Sequence, residues 1–242
     1  MGALLWQPFC GSPSVAALLW EPLQRRWVLA ITWPAAAGSP LKRLPQGGPP
    51  KALYNAAMTI DTLPYPHDLT DGVVSLRAHR STDAEALAIA VRESVATVGR
   101  WQDWCHEGYA VSDAETWMAA CRQDWLLGDG YEMLIVDART DEVLGGMGVN
   151  QRNRAQRFAN LGYWVRESMQ GKGIATRAGR IAIGFAFDAV KVARLEIVVA
   201  HDNLPSRKTA ERLGGVFEGM LRNRLVVKGQ SVDAAMYSVI AA

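Results

Sequence analysis

Cysteine is scarce. The 242-residue chain holds three, Cys10, Cys105 and Cys121, and none stands in a CxxC pair or a Cys/His spacing that ligates metal. A disulfide framework needs more cysteines in a smaller chain, so the reading is a reduced, cytoplasmic protein with no metal assigned. His106 and His201 have no ligand companions in the sequence. Long apolar runs are missing too. The longest, residues 28–38, is interrupted by Pro34 and falls far short of the roughly 20 residues of a membrane span. Charge of one sign is also missing: 26 Lys and Arg against 24 Asp and Glu leave a net +2. That balance argues against a nucleic-acid or other polyanion partner. The GxxxxGK[ST] pattern is absent, which excludes a P-loop nucleotide site. There is no internal repeat.

What is present is unevenly spread. Eight of the eleven prolines and four of the nine tryptophans precede residue 58. The same stretch carries five basic residues (Arg25, Arg26, Lys42, Arg43, Lys51) against one acid, Glu21, so the body beyond it is slightly acidic. Prolines interrupt any helix that starts there, and no periodicity is sustained. Residues 1–57 are therefore expected to be an unstructured extension, or sequence upstream of a misassigned start, with one domain over 58–242. Arg25-Arg26, an apolar stretch and Ala35-Ala36-Ala37 faintly resemble a secretion signal. That stretch is short and holds a proline, so the extension reading is preferred.

Beyond residue 58 the pattern predicts a strand over 73–78. Ser81, Thr82 and Asp83 offer caps for a helix from 84 to about 95. Ser112 and Glu115 have the spacing of a capping box, opening a helix that Gly128 ends. Strands over 132–137 and 143–150, joined by a turn, read as a hairpin, and 159–165 is a further strand. Ile174, Ala178, Ile181, Ala182, Phe185 and Ala189 recur at helical spacing. Residues 195–199 are short, β-branched and apolar, as a buried strand is. Pro205 suits the first turn of a helix ending at Gly214-Gly215, and strands over 216–221 and 234–240 close the chain. This is a mixed α/β layer fold.

The chemistry concentrates at Gln170, Gly171, Lys172, Gly173, Ile174, Ala175 and Thr176, between a strand and a helix. Glycines adopt φ > 0 and let a ligand approach the backbone. A helix start presents free N–H groups and a partial positive charge. Together they form a cradle for an anion such as a pyrophosphate. A dinucleotide GxGxxG would need glycine where Thr176 stands, and it favours the first strand–helix turn of a parallel sheet. On these residues alone a ligand-free cap or tight turn stays open.

The segment resembles the pyrophosphate loop of the GNAT superfamily of N-acetyltransferases, Q/R-x-x-G-x-G/A, matched by Gln170, Gly173 and Ala175. Leu161-Gly162-Tyr163-Trp164-Val165, the run from Glu167 to Ile174, Asn203-Leu204-Pro205-Ser206 and Glu211-Arg212-Leu213-Gly214 are similar to the RimL/RimJ branch, whose members acetylate protein N-termini. The resemblance covers about 73–240. It implies a GNAT fold: a mixed, mostly antiparallel sheet of about six to seven strands flanked by helices and splayed at the coenzyme A site. It also implies acetyl-CoA as co-substrate. By this resemblance, the strand ending at Val165, Arg166 and Glu167 pairs with the pantetheine arm, and Gln170 to Thr176 hold the pyrophosphate. Lys172 can add a mobile charge. Asn203 lines the far side of the channel, although an Asn before a Pro-initiated helix is equally an N-cap.

Acetyl transfer needs a neutral amine, a donor for the developing oxyanion, and a proton or donor for the leaving thiolate. The resemblance implies Glu167 as base, through water, and Ser206 as thiolate donor, with Trp101, Trp104 and Asn160 bordering the acceptor. Two positions depart from the pattern. No tyrosine follows Ser206 by one helical turn, where Thr209-Ala210-Glu211-Arg212 stands, and Asn160 occupies a position often acidic in relatives. The favoured acceptor is a protein or peptide N-terminal amine, attacked directly in a ternary complex. A small-molecule amine, with Asp103 and Glu107 supplying acid, and a non-catalytic acyl-CoA sensor are the alternatives. A homodimer is implied only by analogy.

Overall fold

The computed structural model describes residues 63–66 and 69–241. The expected extension over 1–57 lies outside the described residues. The chain forms β1 (Val74–Arg77), α1 (Ala84–Glu93), α2 (Val111–Leu127), β2 (Tyr131–Asp137), β3 (Val143–Asn153), β4 (Phe158–Val165), α3 (Ile174–Asp188), β5 (Arg194–Ala200), α4 (Leu204–Arg212), β6 (Val216–Val227) and β7 (Gln230–Ile240). The strands make one seven-stranded sheet in the order β1-β2-β3-β4-β5-β7-β6. Neighbours are antiparallel except β4 and β5, which run parallel. The exception follows from the connection. β4 reaches β5 through a helix, α3, and a helical crossover returns the chain in the same direction. The expected mixed, mostly antiparallel sheet is the one observed.

Helices cover both faces of the sheet, so alternate residues of one strand enter different cores. On β2, Tyr131, Met133 and Ile135 pack with α3 through Ala178, Ala182 and Phe185. Leu134 and Val136 pack with α1 and α2 through Leu87, Val91 and Met118. Burial on both faces explains why β2 is apolar at nearly every position. One position breaks that run, Glu132, which is only 4% exposed. Among the described residues no helix is long and apolar enough to cross a membrane.

Three boundaries differ from the sequence-based expectation. α2 starts at Val111, and the Asp113 carboxylate accepts from the Ala110 amide at 2.8 Å, so Ser112 and Glu115 form no capping box. α1 ends at Glu93, where the Ser94 hydroxyl donates back to the Ala90 carbonyl at 2.7 Å and competes with helix continuation. β6 and β7 form a hairpin longer than expected, turning on Lys228 and Gly229 with φ 51° and 74°. Both residues in the left-handed region is what a tight two-residue hairpin turn requires.

Candidate active site

β4 and β5 pair only through Phe158–Arg194, Ala159–Leu195 and Asn160–Glu196. Beyond that point β4 stays with β3 as far as Val165, and β5 stays with β7 as far as Ala200. The two central strands therefore diverge after Asn160. The backbone groups of residues 161–165 that would face β5 are left without a strand partner. A cavity occupies the divergence. Tyr163, Ile197, Val199, Asn203 and Ser206 line it on the α3/α4 side of the sheet, and Trp101, Gln102, Trp104, Asn160, Leu225 and Val227 on the other. It passes through the sheet, and among the described residues no charged side chain lines it.

The bend at 171–176 begins where β4 has ended. Gly171 and Gly173 have φ 74° and 78°, and a Cβ at either would meet nothing within 4 Å. They are glycines for conformation, not for lack of space. Gly173 is the N-cap of α3, and no side chain caps the helix. The first intrahelical bond is Arg177 N–H to Gly173 C=O at 3.0 Å, so the leading amides have no carbonyl to meet. Ile174 is buried and pins the first turn to the core, while Gly171, Lys172 and Gly173 are exposed. A 15-residue helix thus directs an uncapped positive end outward. Lys172 Nζ lies 3.6 Å from Met169 Sδ.

Polar side chains hold the approach to the bend. The Arg166 guanidinium bridges Glu93 of α1 and Glu142, the latter at 2.9 Å, and also donates to the Val143 carbonyl. The Ser168 amide donates to Glu93 at 2.8 Å and the Glu167 amide to Ser94 Oγ at 3.0 Å. Arg166 holds the Glu93 carboxyl down at about 2. Gln170 donates to Thr97 Oγ1 at 3.0 Å and to the Val165 carbonyl at 2.9 Å. Arg166 and Gln170 are therefore committed to positioning the bend. The Glu167 side chain does not reach the cavity: it is exposed and accepts from Thr97 Oγ1 at 3.2 Å.

Ser206 and Asn203 do reach it. Asn203 Oδ1 accepts the Ser206 amide at 3.3 Å and caps α4, so this residue both lines the cavity and ends a helix. Tyr163 Oη stands 3.0 Å from Ser206 Oγ and donates to the Ser206 carbonyl at 3.0 Å. Burial pushes the Tyr163 phenol up to about 12, so it stays protonated. Sequence reasoning missed this tyrosine, looking for one after Ser206 on the helix; the signal was its place in the motif strand.

On the opposite face, Trp104 is 7% exposed and packs edge-on to Trp164 with ring centroids 5.6 Å apart. Trp101 packs against the small cluster of Ala200, Leu225 and Ala234. Their loop is tied to the β6–β7 turn by the Lys228 amide, which donates to Asp103 at 3.0 Å. Asp103 does not line the cavity, and neither does Glu107. Asn160 sits at the vertex of the divergence, where its Nδ2 donates to Asn150 Oδ1 at 3.0 Å.

Known proteins match this arrangement. Residues 74–216 match the acetyltransferase (GNAT) domain family. The chain is 30% identical over 172 residues to the Bacillus subtilis (strain 168) protein named "Putative ribosomal N-acetyltransferase YdaF", covering 69% of this chain and 91% of that one. It is 29% identical over 111 residues to the ribosomal-protein-serine acetyltransferase of Escherichia coli (strain K12), covering 46% and 62%. The solved structure of Mycobacterium smegmatis RimJ in complex with CoA-disulfide superposes with a TM-score of 0.65 at 29% identity, covering 70% of this chain and 83% of that one. The chain belongs to the GNAT acetyltransferase family, in its RimL-like branch, and is an N-acetyltransferase.

Proposed function

We propose that the protein transfers the acetyl group of acetyl-CoA to a primary amine, with a protein or peptide N-terminal α-amine as favoured acceptor, by direct attack in a ternary complex. One observation carries the choice of acceptor: the cavity has no charged side chain among the described residues. Without a carboxylate base at hand, an amine that loses its proton near neutrality has the advantage. An α-amine with a pKa of about 7.8 is roughly one-third neutral at pH 7.5, and a lysine-type amine at about 10.4 is neutral to about one part in a thousand. The difference is a few hundred-fold in attacking species. A polyamine also finds no acid on the cavity wall, since neither Asp103 nor Glu107 lines it. The printed names of relatives that act on ribosomal proteins support the same class.

On the coenzyme side, the amides of Gly171 to Thr176 suit the diphosphate, with Lys172 adding charge from an exposed position. Val165 and the preceding residues of β4 offer backbone groups to an extended arm. Ser206 is assigned as the donor to the departing sulfur, with Tyr163 supporting its hydroxyl. A thiol pKa near 8.5 keeps that demand modest. Glu167 is assigned no proton transfer, given its contact with Thr97.

The test is thiol release from acetyl-CoA with free N-terminal peptides, the same peptides blocked at the α-amine but carrying lysine, and polyamines. Free α-amines are expected to be turned over fastest, with a rate that rises through pH 8. Faster turnover of polyamines or of blocked peptides overturns the acceptor class. Glu167→Gln is expected to keep its rate within about twofold, as surface changes do.

A further inference from the structure

Glu132 is a carboxylate buried in the sheet, and a chain of side-chain hydrogen bonds connects it to the cavity. Asn150 Nδ2 donates to Glu132 Oε1 at 2.6 Å, and Asn160 Nδ2 donates to Asn150 Oδ1 at 3.0 Å. Glu132, Asn150 and Asn160 lie on adjacent strands, β2, β3 and β4, with Asn150 opposite Asn160 and Glu132 opposite Gly148. A Cβ at Gly148 would overlap the Glu132 carboxylate. The carboxylate lies across that glycine on its way to Asn150, which is why a side chain is missing there.

Such a chain has a direction. A carboxylate accepts and does not donate, whereas each carboxamide has a donor end and an acceptor end. Glu132 Oε1 accepts from the NH2 of Asn150, which turns the Asn150 oxygen toward Asn160. That oxygen in turn requires the NH2 of Asn160. The remaining end of the Asn160 carboxamide is Oδ1, and among the described residues no donor reaches it. Asn160 lines the cavity at the vertex of the β4–β5 divergence.

We propose that Glu132 is a positioning residue for the acceptor. Through Asn150 it fixes the Asn160 carboxamide with its oxygen toward the cavity, where it accepts an N–H of the incoming amine. Asn160 is then the residue that touches the amine, and Glu132 acts two links away. The amine then meets a neutral acceptor whose orientation is set by a side chain kept out of the cavity. The proposal rests on the acceptor reading above.

The experiment is steady-state thiol release at varied peptide amine for wild type, Glu132→Gln, Asn160→Ala and the double variant. Glutamine can donate to Asn150, so the chain can reverse and turn the Asn160 NH2 toward the amine. Glu132→Gln is expected to raise the amine KM about five- to tenfold, the loss of about one hydrogen bond. The acetyl-CoA KM should stay within about twofold, as for distant changes. Because Glu132 acts only through Asn160, the double variant should match Asn160→Ala alone; additive losses would mean a merely structural role and overturn the proposal. If Glu132→Gln does not fold, Asn150→Ala cuts the same chain one link on and should give the same rise. An unchanged amine KM in these variants overturns the relay and leaves the acceptor class standing. Wild type that releases no thiol with any α-amine overturns both.

Discussion

One helix begins at the cavity and another just beyond the end of β4, and they begin in opposite ways. α4 is closed by its own side chain: Asn203 accepts the Ser206 amide, and Pro205 removes a donor from the first turn. α3 is left open: Gly173 is its N-cap, with φ 78° and no side chain to accept the leading amides. A helix start must find acceptors for its first N–H groups from side chain, water or ligand. α4 finds them internally, which frees Ser206 to be held in place beside Tyr163. α3 has no side-chain cap, so its leading amides stay open to water or to an anion such as the diphosphate proposed above. The same feature of helical geometry is thus closed in one helix and left open in the other.

The strongest way to break this contrast is to make α3 begin as α4 does. Gly173→Asp supplies a capping carboxylate, in a residue type that tolerates the left-handed region. It should raise the acetyl-CoA KM between about 10- and 100-fold, by removing charge-assisted hydrogen bonds of about 1.5–3 kcal/mol. The amine KM should move little, and circular dichroism should show an intact fold. An unchanged coenzyme KM would mean that these amides hold nothing.

The next effect belongs to α4. Ser206→Ala removes the hydroxyl and leaves the Asn203 cap in place, so kcat should fall about tenfold, the low end for a proton donor because a thiolate leaves easily. Tyr163→Phe should give a smaller fall in the same direction. If Tyr163→Phe costs more than Ser206→Ala, then the tyrosine is the donor and the serine its support, which reverses the order proposed above.

The two helix starts also differ in how far the sequence announced them. The bend at Gly171 and Gly173 was legible because its physics is local: glycines, then a helical period, within a short stretch. Asn203 was legible as a cap for the same reason, and its place on the cavity wall was not separable from that. The sheet was legible in its strands, save for the β6–β7 hairpin, where Arg222, Asn223 and Arg224 hide the alternation around a register shift. What joins the site together was not legible, because it depends on contacts between distant residues. Tyr163 meets Ser206 across 43 positions and Arg166 meets Glu93 across 73. Arg166 was expected on the coenzyme side, and the ion pairs of its side chain that anchor the loop were not foreseen. Glu132 did leave a trace, an acid near the start of an otherwise apolar run, but its target lay on two other strands.

Removing the cap of α4 is a smaller perturbation. Asn203→Ala should lower unfolding free energy by about 1 kcal/mol, a drop of roughly 2–4 °C in Tm for a domain of this size. Its cavity contact should add a modest rise in acetyl-CoA KM, well below that of Gly173→Asp. A KM change as large as at Gly173 would mean that both helix starts bind the coenzyme and would erase the contrast.

The smallest expected effect tests what holds the open helix in position. The Glu93 carboxyl sits at about 2, below its ordinary 4.5, because Arg166 donates to it. A group depressed on folding binds its proton more readily when unfolded, so its stabilisation is complete above about 4.5 and is lost as pH falls toward 2. Glu93→Gln removes the titration. Wild type should therefore be the more stable at pH 7, and the gap between the two should close between about pH 4.5 and 2 when urea unfolding is compared across that range. The Glu93 side chain is 28% exposed, so solvent screening should keep the gap below about 1 kcal/mol. The substituted carboxamide can still accept from the Ser168 amide, so the bend should remain in place and the acetyl-CoA KM should rise only slightly. A large rise in that KM with little change in stability would show that the Arg166–Glu93 pair orients the 171–176 amides, a function that α4 performs with a single asparagine.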